Sequence, residues 1–248
     1  MKVLLKITLT FFTLTFWITT NTAQTVDKAT VEKQFYTAYI NNSRPAWKIT
    51  LQQLENAKDK NLDLLLAKGY YAAATTAFGN RDEDMADKML DKAAILTKAI
   101  LKENNTSAEA NALLSTVYGL KIALSPAKAM VLGGKSGSLA EKGVELDAES
   151  AFTNYVMGNN LYRTPSLFGG DVKKGLVCLE KSKKLYETAG TTQSWEYLSL
   201  MALLGQVYHD QKQYDKAITT YKTALKIAPN FSYIKTGLLP LSEKAKGA

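Results

Sequence analysis

Four groups of residues in this sequence have types and spacing that chemistry uses. The run Ala129-Met130-Val131-Leu132-Gly133-Gly134-Lys135-Ser136 fits a relaxed phosphate-loop pattern, with Ala where the first Gly belongs. That motif works by following a β-strand and opening a helix, so that backbone N–H groups and the Lys surround phosphates. No strand pattern precedes it here, and its surroundings read as helical, so a flexible or kinked helix start is expected. His209 and Asp210 suggest an acid–base dyad, but adjacent helix positions point roughly 100° apart and their side chains diverge. His209 is the only histidine and Cys178 the only cysteine. They fall on different expected helices, so neither a metal-ligand spacing nor an internal disulfide arises. Cys178 shares a helical face with Gly175, Leu179 and Ser182 and reads as a small core residue. Glu83, Asp84 and Asp87 sit in the first turn of an expected helix, where carboxylates favour the positive end of the dipole. No catalytic residue, metal ligand or cofactor is expected, and the chain reads as a non-enzyme.

The elements around these residues are helical throughout. Of 248 residues, 46% are hydrophobic and 22% charged, with 5 prolines, enough apolar surface for one elongated domain or two small ones. The formal net charge is +8; without Lys2 and Lys6 it would be +6, from 29 basic against 23 acidic residues. Lysines alternate with acidic residues and no run of five like charges occurs, which reads as a solvated helix surface and not a nucleic-acid or anionic-membrane patch. Met1 to Thr20 joins a basic start to an apolar core at Ile7–Ile18, and the small polar segment ending at Ala23 follows. This reads as a secretory signal peptide over 1–23, leaving a domain over 24–248 that is exported, either periplasmic or secreted. The mature chain has no second apolar run long enough for a transmembrane helix.

The stretch from Leu198 to Phe231 supplies the organising unit. Its Leu204, Gly205, Tyr208, Ala217, Tyr221, Ala224 and Pro229 fall at the spacings of the 34-residue tetratricopeptide (TPR) pattern, and the chain resembles a TPR repeat protein. Small residues at Gly205 and Ala217 let two antiparallel helices approach, Tyr208 and Tyr221 fill gaps, and Pro229 stops the second helix. Weaker hairpins precede it. A degenerate first hairpin (about 28–58) is expected to cap the N-terminus. The second covers 62–103, with Gly69 in the small first-helix place and Ala86, Leu90 and Ala93 on its second helix. The third opens at the cap Ser107 and turns at Ser125-Pro126; the fourth carries Gly158, Gly175, Leu179 and Ser182. Gly69 to Ala86 and Gly158 to Gly175 are equally spaced, which suggests two hairpins sharing one extension. A terminal helix interrupted near Pro240 should solvate the end. The expected fold is all-α: a right-handed superhelix of about five TPR-like hairpins with a C-terminal capping helix.

The resemblance also implies a function. TPR arrays bind peptides or proteins along a concave face lined by set first-helix positions. In this sequence the matching candidates for partner binding are Tyr70, Phe152, Tyr155, Asn159, Tyr162, Arg163, Gln206, His209 and Asp210. The implied role is an exported interaction adaptor or scaffold for an unidentified protein or peptide, with homo-oligomerisation open and no nucleic-acid partner. The loop Pro165-Ser166-Leu167-Phe168-Gly169-Gly170-Asp171 resembles one found in exported bacterial repeat proteins, including the periplasmic TPR component of tripartite (TRAP) transporters. The alternative is therefore a periplasmic small-molecule-binding or transporter-associated subunit, for which a closed aromatic pocket at Tyr70 and Tyr155 would speak. In that loop Gly169-Gly170 permits a tight bend, Asp171 caps the next helix, and Leu167 with Phe168 is expected either to plug the hairpin or to meet a partner.

Overall fold

The computed structural model describes residues 26–247; the signal peptide expected over 1–23 lies outside them. The described residues form eleven α-helices, packed as sequential hairpins. The hairpins are α1 (Lys28–Ile40) with α2 (Arg44–Ala57), α3 (Asp63–Gly79) with α4 (Glu83–Glu103), α5 (Ala108–Leu124) with α6 (Ala129–Leu146), α7 (Ala151–Arg163) with α8 (Val172–Thr188), and α9 (Trp195–Asp210) with α10 (Tyr214–Ile227). A π-helical segment at Tyr233–Leu238 and α11 (Leu239–Lys246) complete the chain, with Pro240 in the first turn of α11. The expected interruption near Pro240 is present.

Seven helices start at a polar residue whose side chain accepts the N–H three positions on: Asp27, Ser43, Asp82, Ser107, Ser150, Asp171 and Ser194. Each such cap contributes about 1 kcal/mol and fixes where a helix begins. Three corners are identical in form. Asn42, Arg81 and Lys212, each two residues past a first helix, take the left-handed conformation at φ 50°, 59° and 57°. The other two corners, α5–α6 and α7–α8, are longer and contain 3₁₀ turns at Pro126–Lys128 and Ser166–Phe168.

Burial separates the helices into two layers. In α3, α5 and α9 nearly every central residue is buried, from Ala67 to Ala74, Ala110 to Tyr118, and Leu200 to Gly205. In α2, α4, α8 and α10 only one stripe is, such as Ala86, Leu90, Ala93 and Thr97 on α4. An apolar run without a polar face belongs inside, and an amphipathic helix covers it from outside. The first helices of the hairpins therefore form the inner layer and the second helices the outer one.

The inner layer closes on itself. Neighbours α1, α3, α5, α7 and α9 pack in succession, and α1 returns against α9. Tyr36 Oη donates to the Ile227 carbonyl at 3.1 Å, and Ser199 Oγ donates to Tyr39 Oη at 2.8 Å. The Tyr39 ring lies 5.3 Å from that of Phe231 and 6.2 Å from that of Trp195. The first hairpin, expected as an N-terminal cap, thus also closes a ring through α1. Val31, Phe35 and Ala38 of α1 are fully buried, Phe35 against Gly69 of α3 and Trp47 of α2.

The glycines report the register. A Cβ on Gly205 would meet the Tyr221 ring at 2.1 Å, and one on Gly158 would meet Leu179 at 2.6 Å. Both lie against their own hairpin partner, as the repeat pattern requires. A Cβ on Gly69 would instead meet Phe35 of α1 at 2.3 Å. The equal spacing of Gly69–Ala86 and Gly158–Gly175 is therefore no shared extension. The second hairpin has the same short corner as the fifth, and only the fourth carries the long loop.

Candidate interaction site

The middle of the ring is filled by the protein's own side chains. Lys68, buried on α3, sends Nζ to Glu109 of α5 at 2.8 Å and to Glu196 of α9 at 2.9 Å, 4.3 Å above the Phe152 ring of α7. Burial alone would lower its pKa; the carboxylates of Glu196 and Glu109 override that and raise it above the ordinary lysine value. Beside it, the Trp195 ring lies 6.2 Å from that of Tyr71, whose hydroxyl accepts from Thr116 Oγ1 at 2.9 Å. Tyr155 is 6% exposed, and burial raises its phenol well above the ordinary tyrosine value. One charged triad and four aromatic rings thus tie α3, α5, α7 and α9 together. Lys68 stands alone in an apolar run from Leu64 to Ala74, a pattern in which a lysine must find buried carboxylates.

Toward the corner end of α7 and α9 the surface opens. A cavity of about 320 Å³ is lined by Tyr162, Arg163, Gln206, His209, Asp210, Tyr221, Leu238, Leu241 and Ser242. The exposed Arg163 guanidinium lies 4.9 Å from the Tyr162 ring and donates to Gln206 Oε1 at 3.2 Å. Gln206 Nε2 donates to Tyr233 Oη at 2.8 Å, and His209 Nδ1 shares a 2.8 Å hydrogen bond with Ser242 Oγ. Tyr162 Oη donates to the Asp210 carboxylate; burial first, then that carboxylate, push its phenol up to about 12. The side chains of His209 and Asp210 diverge, one to Ser242 and the other to Tyr162, as adjacent helix positions should.

Five of the nine residues expected to bind a partner therefore line one cavity: Tyr162, Arg163, Gln206, His209 and Asp210. Asn159, half-buried on α7, lies one turn deeper. Three others do not present a surface. Phe152 is 2% and Tyr155 6% exposed in the ring interior. Tyr70 points outward, its hydroxyl donating to Glu55 of α2 beneath Lys92 of α4. The reason is the register at Gly69: with that residue against α1, position 71 and not 70 of α3 faces the centre. Tyr70 and Tyr155 line neither cavity. Tyr221, Tyr233, Leu238, Leu241 and Ser242 were not expected at the site, because only the fold shows that the C-terminal segment returns over α9.

A second cavity of about 440 Å³ lies between the outer helices α8 and α10, over α9, with Lys183, Lys184 and Lys216 facing Glu180, Glu187 and Asp215. Tyr208 crosses it to donate to Glu180 at 2.6 Å, filling the gap between repeats as its place in the pattern predicts. Cys178 is half-buried and not in the core, and burial raises its thiol pKa. Ala129–Ser136 is regular helix after a 3₁₀ turn. Among the described residues no group of three His, Cys, Asp or Glu residues is placed to hold a metal ion, and no helix is long and apolar enough to cross a membrane.

The α7–α8 loop is built as its glycines imply. Gly169 has φ +93°, and a Cβ on Gly170 would sit 1.7 Å from the Thr164 carbonyl oxygen. Asp171 accepts from the Lys174 N–H at 3.0 Å. Leu167 and Phe168 do not plug the hairpin; they are 86% and 76% exposed.

Comparison with known proteins places this architecture. Residues 201–231 match the tetratricopeptide repeat family. TTC0263, a thermophilic TPR protein of Thermus thermophilus, superposes with TM-score 0.55 at 16% identity, over 90% of this chain and 100% of that one. The HusA haemophore of Porphyromonas gingivalis gives TM-score 0.52 at 20% identity, over 75% of this chain and 96% of that one. No curated protein matches in sequence. The described residues form an all-α, TPR-like array of helical hairpins, and the likeness to the two solved structures is one of fold.

Proposed function

We propose that this chain is a non-enzymatic, exported interaction scaffold whose partner is a protein or peptide. The partner is recognised at the corner end of α7 and α9 and not along an open groove. The observation that carries this is the cavity where Arg163, Gln206, His209 and Asp210 converge while the ring interior is occupied by Lys68, Phe152, Tyr155 and Trp195. An exposed guanidinium stacked on an aromatic ring, beside amide, imidazole and carboxylate groups, suits hydrogen bonding to a polar or acidic segment. The small-molecule alternative asked for a closed pocket between Tyr70 and Tyr155, and those side chains point apart. Export rests on the leader pattern at 1–23, and a link to tripartite transporters rests on the loop at 165–171.

Affinity capture from the native envelope fraction, using the wild-type chain and Arg163→Ala/Asp210→Ala, tests the site. A partner retained by the wild type and lost by a variant of unchanged helicity supports it. Retention by both moves the site elsewhere.

A further inference from the structure

The two long corners carry the three most exposed large apolar side chains of the described residues, Met130, Leu167 and Phe168. Met130 and Val131 open α6 at 96% and 64% exposure, and Leu167 and Phe168 form the tip of the α7–α8 loop at 86% and 76%. The corners are neighbours. Antiparallel α6 and α7 are joined where Asn160 Nδ2 donates to Ser136 Oγ at 3.1 Å. Val131 lies roughly 8 Å along α6 from Ser136, at the helical rise of about 1.5 Å per residue, in the direction in which α7 runs out to its loop. Four large apolar groups thus project from one edge.

The charge beside them is mainly positive. Lys135 stands one turn above Val131 on the exposed stripe of α6, and Lys173 and Lys174 open α8 directly after the loop, all exposed. Asp171 caps α8 and also pairs at 3.8 Å with Lys174, whose side chain remains 79% exposed. Behind them, Lys121 and Lys128 are matched by Asp87 and Asp91. The next corner, α3–α4, is acidic, with Glu83 and Asp84 exposed. Lys135, Lys173 and Lys174 thus stand beside the apolar tips of the third and fourth hairpins.

From this we infer that the edge formed by the α5–α6 and α7–α8 corners docks on an anionic lipid surface. Side chains as free as Met130 and Leu167 line no groove that a folded partner could fill from one side. A fluid bilayer needs none, since apolar tips enter the acyl boundary while flanking lysines stay at the headgroups. Anionic headgroups complement Lys135, Lys173 and Lys174, and the acidic α3–α4 corner tilts away. This inference is independent of the cavity at Arg163.

The test is flotation of the full chain with vesicles of phosphatidylglycerol and phosphatidylcholine in equal parts, against phosphatidylcholine alone. The expected result is binding to the anionic vesicles, weakened by salt. Leu167→Ser/Phe168→Ser and Lys173→Glu/Lys174→Glu should each lower it about tenfold or more, with circular dichroism unchanged. Phe168→Trp reports the edge itself. Trp47 and Trp195 are buried and the third tryptophan, Trp17, lies in the leader and is common to both chains, so quenching by brominated phosphatidylglycerol beyond that of the wild-type chain comes from position 168. Binding unaffected by both double variants, or no added quenching in the Phe168→Trp chain, would overturn the inference. So would an edge variant that leaves vesicle binding intact and instead shifts the mass by light scattering, since the occupant would then be a second copy.

Discussion

Replacing Lys68 by Met keeps most of the side chain's volume and removes the charge that Glu109 and Glu196 share. Glu196 keeps 17% of its side-chain surface and Glu109 40%. Water can therefore resolvate the second carboxylate in part and the first hardly at all. Removing one member of a buried ion pair costs about 3–5 kcal/mol, because the remaining charge is left unpaired. With Glu109 half relieved by solvent, a cost at the lower end, about 3 kcal/mol, is expected for Lys68→Met. At about 2–4 °C per kcal/mol for a domain of this size, the melting temperature should fall by about 10 °C. Urea titration at pH 7 should show that gap to wild type, and Glu196→Gln added to Lys68→Met should recover stability, because no unpaired charge is then left buried. A gap below about 1 kcal/mol, or one that Glu196→Gln does not narrow, would refute the buried-triad reasoning.

Three further expectations are open to measurement. Gly170→Ala should destabilise the chain by about 3 kcal/mol in denaturant titration, since its Cβ would overlap the Thr164 carbonyl at 1.7 Å; Gly190→Ala, with open space but φ +68°, should cost about 1 kcal/mol. Alkaline pH should unfold the protein cooperatively. The folded-state pKa values of Lys68, Tyr39, Tyr155 and Tyr186 are raised above the ordinary 10.5 for lysine and 10.0 for tyrosine. Their stabilisation is complete below about pH 10 and lost above it, so phenolate absorbance should appear together with loss of helical dichroism. A double-mutant cycle of Tyr39→Phe and Ser199→Ala should give a coupling of about 1 kcal/mol through the bond that joins α1 to α9, and zero coupling would place the two helices apart.

The hairpins were legible because their determinants are local. Ser107 and Asp171 cap where their sequence places them, Gly205 lies under Tyr221, and Gly158 lies under Leu179. Ring closure was not, because it depends on residues 191 and 160 positions apart. Nothing near Tyr36 or Tyr39 signals the Ile227 carbonyl or the Ser199 hydroxyl. A separate contact of the same helix misled the reading of Gly69, whose small side faces Phe35 of α1, and the slip turned Tyr70 outward in place of Tyr71. Of the expected binding residues, those at the helix ends, from Tyr162 to Asp210, converge because α7 and α9 open there. Phe152 and Tyr155, deeper in the ring, are consumed by packing. An exposed aromatic and a buried one look alike in sequence; what separates them here is whether α1 lies across the face.

The central claim is that the inner helices close into a filled ring, and the most direct measurement is a set of nuclear Overhauser contacts between aromatic rings. Tyr39 and Phe231 belong to the first hairpin and the segment after the last, with ring centroids 5.3 Å apart. Cross-peaks between their ring protons, and between Tyr39 and Trp195, are expected at strengths like those of Phe35 with Trp47, whose centroids are also 5.3 Å apart within the first hairpin. If the Phe35–Trp47 contacts appear while those of Tyr39 with Phe231 and Trp195 do not, the array is open, Tyr155 and Phe152 face a groove, and the closed ring is wrong.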